Sequence, residues 1–174
     1  MPLENFQIAT AADAEFLVEL VNAAYRPESD TTGWTHEAAL ITGARINTSQ
    51  LIEIMAQSHI VILIARYQQQ RVACVQIENK EQHSAYLGML AVKPALQMAG
   101  FGKQMLTYAE HYARTQLGAQ KFVMHVLAAR TELIAFYLRR GYQQTGRFSA
   151  YPLSAGVGIP KQSDLKIEIL EKLA

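Results

Sequence analysis

Cysteine occurs once in the 174 residues, at Cys74. A single cysteine closes no internal disulfide and excludes a zinc site built on several cysteines. It lies in an apolar, strand-like run and reads as a small core residue rather than a nucleophile. Charge of one sign is also missing: 16 Lys and Arg face 15 Asp and Glu. A dedicated nucleic-acid binder carries a strong basic excess, so no nucleic-acid partner is expected, with Arg139–Arg140 at most a local basic patch. Long apolar runs are absent too. The longest, 60–65, is far too short to span a bilayer, and residues 1–5 lack the basic-then-apolar pattern of a secretory leader. The expectation is a soluble cytoplasmic protein with no membrane partner. His36, His59, His83 and His111 share no metal-ligand spacing, so no metal is expected. There is no internal repeat and no linker. Half the residues are apolar, which argues against disorder, and the length suits one domain spanning 1–174.

What is present is a mixed pattern. Residues 6–9 suggest a short first strand, and Thr10 with Asp13 suggests a capped helix start. Phe16, Leu17, Leu20, Val21 and Ala24 follow at helical spacing until Pro27. A polar loop with Gly33 is expected over 28–35, then a short helix from Thr35 to 41 and another capped by Thr48. The β-rich runs 59–67 and 71–79, joined by Gln68, Gln69 and Gln70, predict a hairpin. Strands are expected at 85–92, 122–127, 142–147 and 165–170, with helices at 103–117 and 131–140 and a long loop at 148–163. Loops of that length are usually functional or mobile. The fold class is α/β, with one sheet layer and helices on both faces.

The stretch 97–103, Gln-Met-Ala-Gly-Phe-Gly-Lys, lies between an apolar strand and an amphipathic helix. Gly100 and Gly102 carry no Cβ, so the turn can crowd against a ligand. The first amides of the helix have no partner inside it, and the helix dipole makes that end positive. Together they form a phosphate site. Two common nucleotide fingerprints fail on spacing. The dinucleotide motif needs a third glycine where Met105 stands, and a P-loop needs Ser or Thr where Gln104 stands.

The pattern Gln97-x-x-Gly100-x-Gly102, preceded by Leu90-Ala-Val-Lys-Pro94, resembles motif A of the GCN5-related N-acetyltransferases. About thirty residues on, Leu133-Ile-Ala-Phe-Tyr-Leu-Arg-Arg-Gly-Tyr142 resembles motif B of the same family. The element order agrees over essentially the whole chain. The resemblance implies a mixed, splayed central sheet of about seven strands with helices on both faces. It also implies acetyl transfer from acetyl-CoA to a primary amine of a small molecule or peptide, by direct attack in a ternary complex. Small enzymes of this fold often pair, which leaves a homodimer open; the sequence does not decide the oligomeric state. A catalytically idle acyl-CoA-binding module, or a transferase using another acyl-CoA, are the alternatives.

The implied cofactor contacts are Leu90, Ala91 and Val92 along the strand, and Gln97, Met98, Ala99, Gly100, Phe101, Gly102 and Lys103 at the turn. The backbone amide near Leu90 would polarise the acetyl carbonyl, and Tyr137 would protonate the departing thiolate. Where the family often has asparagine, this chain has Arg130, which could reach a CoA phosphate or lie in the acceptor site. On the acceptor side the candidates are Trp34, His36 and Glu37, facing Tyr151 and the long loop, with His125 on the cleft side of its strand. Trp34 could equally plug the core edge, and His125 could be structural.

Overall fold

The computed structural model describes residues 1–28 and 34–174. The polar loop expected over 28–35, Gly33 included, lies outside the described residues at 29–33. Nine strands are described: β1 (Glu4–Ile8), β2 (Ile41–Thr42), β3 (Ile60–Tyr67), β4 (Gln70–Lys80), β5 (Ser84–Val92), β6 (Lys121–Leu127), β7 (Gln143–Ala150), β8 (Ile159–Pro160) and β9 (Lys166–Leu173). Four α-helices accompany them: α1 (Ala14–Tyr25), α2 (Thr48–Met55), α3 (Phe101–Leu117) and α4 (Thr131–Leu138). Seven strands form one sheet in the order β1-β3-β4-β5-β6-β9-β7, while β2 and β8 pair separately. All the pairings are antiparallel except β5 with β6.

Alternation along the central strands sorts side chains to two cores. Ile62, Ile64 and Cys74 pack with Leu17, Leu20, Val21 and Leu51 of α1 and α2. Leu63, Ala65, Val75 and Ile77 pack with Phe101, Met105 and Leu106 of α3 on the other face. Cys74 is fully buried in this packing, as its apolar setting implies. The glutamine turn is tighter than three residues: Gln68 and Gln69 alone take positive φ, and Gln70 already pairs with Tyr67.

β5 carries the feature that matters most. Its register against β4 slips between the pairs Gln76–Gly88 and Cys74–Ala91, with Met89 at φ 45°. One extra residue in β5 is a bulge, and it reverses the alternation. Ala85 and Leu87 face the α3 core, whereas Met89 and Ala91 face the α1 core. On its other edge β5 pairs with β6 only at Ser84, Ala85 and Tyr86. Beyond Tyr86 the two strands diverge, and β6 instead pairs with β9 at all seven of its residues.

Two expectations are corrected. Residues 35–41 do not form a helix. The Leu40 and Ile41 amides both donate to the Glu37 carbonyl (2.9 and 3.0 Å), and the chain then straightens into β2 against β8. Thr35 does not cap a helix: its hydroxyl donates to Glu132 (2.8 Å) and accepts from Arg130 (2.8 Å). Tertiary partners override the local helical pattern there. Strand β7 also runs on to Ala150, because Phe148, Ser149 and Ala150 pair with β9 residues. The expected loop is shorter by those residues.

Phe122 sits in β6 with no exposed surface, among Leu106, Ala109 and Leu170. Phe122→Ala should cost about 3–5 kcal/mol of stability through the cavity it leaves. Urea unfolding followed by circular dichroism would measure this.

Candidate active site

The turn after β5 is built by local backbone chemistry. Pro94–Leu96 forms one 3-10 turn, and Met98 and Gly100 then take φ of 69° and 82°. Gly100 occupies the position before α3, in the left-handed region that its missing Cβ permits. No side chain caps that helix end, so its first amides keep their donors free.

These elements face α4 across a cleft of ≈ 350 Å³. One wall is the opened edge of β5, Leu90, Ala91 and Val92, continued by Gln97, Met98, Gly100, Gly102 and Lys103. The other is Leu133, Phe136, Tyr137, Arg139 and Arg140. Trp34 and Thr35 close the top: the Trp34 amide donates to Gln97 Oε1 (2.5 Å), and the indole lies 6.1 Å from the Phe136 ring. Lys103, Arg130, Arg139 and Arg140 line this cleft, and among the described residues no Asp or Glu does. Arg140 lies 3.4 Å over the Phe136 ring, donates Nη1 to the Phe136 carbonyl (2.6 Å), and has a buried Nε with no partner. Burial and the adjacent Arg139 lower its pKa. Lys103, Arg139 and Arg140, none of them ion-paired among the described residues, suit a polyanion beside the free helix amides. A Cβ on Gly102 would stand 3.7 Å from Phe136 and 4.0 Å from a Val92 methyl, across the cleft itself. The cradle therefore fits a phosphate-bearing ligand such as CoA.

A second cavity, ≈ 80 Å³, lies between the diverging strands. Tyr86, Gly88, Met124, His125, Glu37 and Arg45 line it. The two cavities share Tyr25, Leu90, Arg130, Leu133 and Tyr137. Tyr137 is 5% exposed, packed edge-on against Phe136 and Tyr142. Burial pushes its phenol up to about 12, with Arg130 opposing and Tyr86 reinforcing. Burial raises Tyr25 and Tyr86 as well. The His125 imidazole packs edge-on against Tyr86 at 5.0 Å, and its pKa is lowered by burial and by Lys80 and Arg147.

The sequence-predicted residues divide between these places. Phe101 turns into the core against Tyr67, leaving only its backbone toward the turn, and Ala99 packs on the same core. Arg130 points its guanidinium at Glu37 (3.1 Å) and Thr35, and so lies between the cavities, not among the phosphate-side cations. Glu37 and His125 reach the second cavity, whereas Trp34 lies over the first. His36 lines neither: its Nδ1 accepts from the Ala38 amide (3.2 Å). Tyr151 also lies outside both, donating to the Val157 carbonyl (2.9 Å) and touching Arg26 at 3.5 Å. Tyr25, Arg45, Tyr86, Phe136 and Arg140 were not singled out as site residues from the sequence. Only the Arg139–Arg140 pair had carried a signal, as basic charge at a helix end.

Among the described residues no group of three or more His, Cys, Asp or Glu could hold a metal ion, and no helix is long and apolar enough to cross a membrane. The model of the acetyltransferase (GNAT) family matches residues 16–142. The chain belongs to that family. No curated protein sequence matches it significantly. Among solved structures, this GNAT chain is similar to the ribosomal-protein-S18-alanine N-acetyltransferase of Escherichia coli, with TM-score 0.69, 14% identity, and coverage of 97% of this chain and 92% of that one. It is also similar to a spermidine/spermine N-acetyltransferase of Vibrio cholerae, with TM-score 0.69, 15% identity, and coverage of 97% and 91%. A third, smu.2055 of Streptococcus mutans UA159, gives TM-score 0.72, 18% identity, and coverage of 98% and 99%. These likenesses establish the GNAT fold: an open seven-stranded sheet with helices on both faces.

Two outcomes follow from the cleft geometry. Gly102→Val should leave the thermal midpoint nearly unchanged, since its Cβ meets only ordinary contacts, yet lower CoA affinity at least tenfold by filling the cleft. Calorimetric titration and thermal unfolding check the two halves. Trp34 is the only tryptophan and borders the cleft, so CoA should change its emission intensity or maximum in a saturable titration.

Proposed function

We propose that this GNAT protein transfers an acetyl group from acetyl-CoA to a primary amine by direct attack in a ternary complex. The observation that carries this reading is that two cavities beside the opened β5–β6 seam share a wall that includes Leu90 and Tyr137. A donor in one and an acceptor in the other would meet at that wall. Acetyl-CoA, when bound, supplies an activated thioester carbonyl and a thiol leaving group.

The chain's own residues would do the rest. The free edge of Leu90, Ala91 and Val92 would hold the pantetheine arm as an added strand. The amides of the 97–103 turn would receive the pyrophosphate, with Lys103, Arg139 and Arg140 balancing its charge. The bulge at Met89 takes the following amide out of the regular ladder, so the Leu90 N–H is the donor set to polarise the acetyl carbonyl. Tyr137, with its phenol pushed up to about 12, is protonated across the physiological range and donates to the departing sulfur. Glu37 is held by both Arg26 and Arg130. His125, its pKa lowered, is neutral at pH 7 and can receive the ammonium proton at the mouth of the second cavity. Much of the acceleration would come from positioning.

Titration with acetyl-CoA and CoA tests the first half; no binding at high micromolar concentration would sink the reading. Thiol release across an amine panel tests the second: binding without turnover on any amine would reduce the protein to an acyl-CoA-binding module. Tyr137→Phe should lower kcat by about one to three orders of magnitude while keeping CoA affinity; an unchanged kcat would leave Tyr137 a packing residue. The pH profile has a fixed sign. Because the Tyr137 pKa is raised, the proton is present below about 12 and lost only above it. The rate should therefore climb as the amine deprotonates, with no falling limb through about pH 10, as read from kcat/KM against pH.

A further inference from the structure

Among the described residues the second cavity is lined by more positive charge than negative. It is lined by Arg45 and Arg130 and by a single carboxylate, Glu37. That carboxylate is already committed: Oε2 lies 3.0 Å from Arg26 and Oε1 lies 3.1 Å from Arg130. Arg130 Nε also lies 3.8 Å from Glu132 Oε1, so Glu37 and Glu132 together balance Arg26 and Arg130, and Arg45 is the cation left over. Among the described residues Arg45 has no carboxylate within ion-pair distance. Its guanidinium lies 5.7 Å from the Tyr25 ring centre, and that of Arg130 lies 5.8 Å from the same centre. Both cations therefore stand on one aromatic wall. Arg130 is also 5% exposed, with a buried Nε that has no hydrogen-bond partner.

The placement of Arg45 is built into the fold. Asn22, on α1, accepts from the Arg45 amide (2.8 Å) and the Ile46 amide (3.2 Å) and donates to the Ile46 carbonyl (2.9 Å). Arg26 adds a bond to the Gly43 carbonyl (2.9 Å). Four residues of loop, 43–46, are thereby fastened to α1 and its end, with Arg45 lining the cavity. Unbalanced positive charge in a small, partly dry cavity is costly and is best met by an anion. A cationic acceptor such as a polyamine would find only repulsion, since the one acid there is neutralised.

Resting on the N-acetyltransfer reading, we propose that the acceptor is an amine that also carries a carboxylate, of the α-amino-acid class, with Arg45 holding the carboxylate and the amine directed at the Tyr137 window. Guanidinium pairs with carboxylate through two parallel hydrogen bonds, which fixes orientation as well as charge. In the reaction the amine nitrogen forms the new C–N bond to the acetyl carbon and the C–S bond breaks. The nitrogen gives up one proton and the sulfur gains one, leaving an N-acetylated amino acid and free thiol.

Thiol release from acetyl-CoA should be measured with the common α-amino acids, their α-amides, the matching decarboxylated amines, and spermidine. The best amino acid should exceed its own amide and its decarboxylated amine by at least ~30-fold in kcat/KM, the loss expected when one partner of a desolvated charge pair is removed. Arg45→Met should bring the acid-to-amide ratio toward one, and Arg45→Lys should restore part of it. Unchanged acetyl-CoA affinity would show that both variants are folded. Equal or better use of amides, decarboxylated amines or spermidine would overturn the inference while leaving the transferase reading intact. Thiol release with no amine at all, despite acetyl-CoA binding, would overturn both.

Discussion

Strands β5 and β6 start as parallel neighbours and stop pairing after three residues, although β5 has nine and β6 has seven. Parallel strands at the centre of a sheet normally stay paired, because each buried amide and carbonyl needs a partner. Two features oppose it here. The bulge at Met89 bends β5 just past the last paired position. The Tyr86 ring, at that position, packs against His125 of β6 and so fills the gap between the strands. Meanwhile β9 satisfies β6 along its whole length on the other side. The open edge of β5 is left as an exposed row of backbone donors and acceptors in the middle of the molecule, which is where a ligand with its own amides is best received.

The opening is held by both cores rather than tolerated by them. Before the bulge, Ala85 and Leu87 anchor β5 to the α3 side; after it, Met89 and Ala91 anchor it to the α1 side. Removing the extra residue would send each of the later side chains to the opposite face, since strand periodicity is two. Several buried contacts would be lost at once. The bulge is therefore over-determined, and the direction of the Leu90 amide with it. The same bend leaves Leu90 on the wall of both cavities.

The parts of the site that depend on neighbours in sequence could be read from it. Gly100 before α3 and the uncapped helix end are local matters of φ and of missing partners, and both stand as the spacing implies. Leu133, Phe136 and Tyr137 share one helix and reach the cleft together. Parts that depend on distant partners could not be read. Residues 35–41 have a helix-like pattern, but Thr35 is claimed by Arg130 and Glu132, and Glu37 by Arg26 and Arg130. The bulge itself falls on Met89, a residue type that gives no hint of positive φ; Gly88 beside it is the only local sign. Tyr25, Arg45 and Tyr86 come from three separate elements and converge only in the folded chain.

Glu37 shows why the second cavity has its charge. It bridges Arg26, just beyond α1, and Arg130, just before α4, and so ties together the two sides of the opened seam. A buried ion pair of this kind adds little stability over well-packed apolar groups, whereas losing one member costs about 3–5 kcal/mol by stranding the other. Its value lies in registration. With Arg130 fixed, Thr35 is fixed through its hydroxyl, and Trp34 follows over the cleft through Gln97. Glu132, 3.8 Å from Arg130, shares that arginine, but Arg45 adds a third cation on the same aromatic wall with no carboxylate beside it among the described residues. The network that sets the roof of the first cleft thus leaves a net positive surface in the second. Geometry on the donor side and charge on the acceptor side follow from the same buried carboxylate.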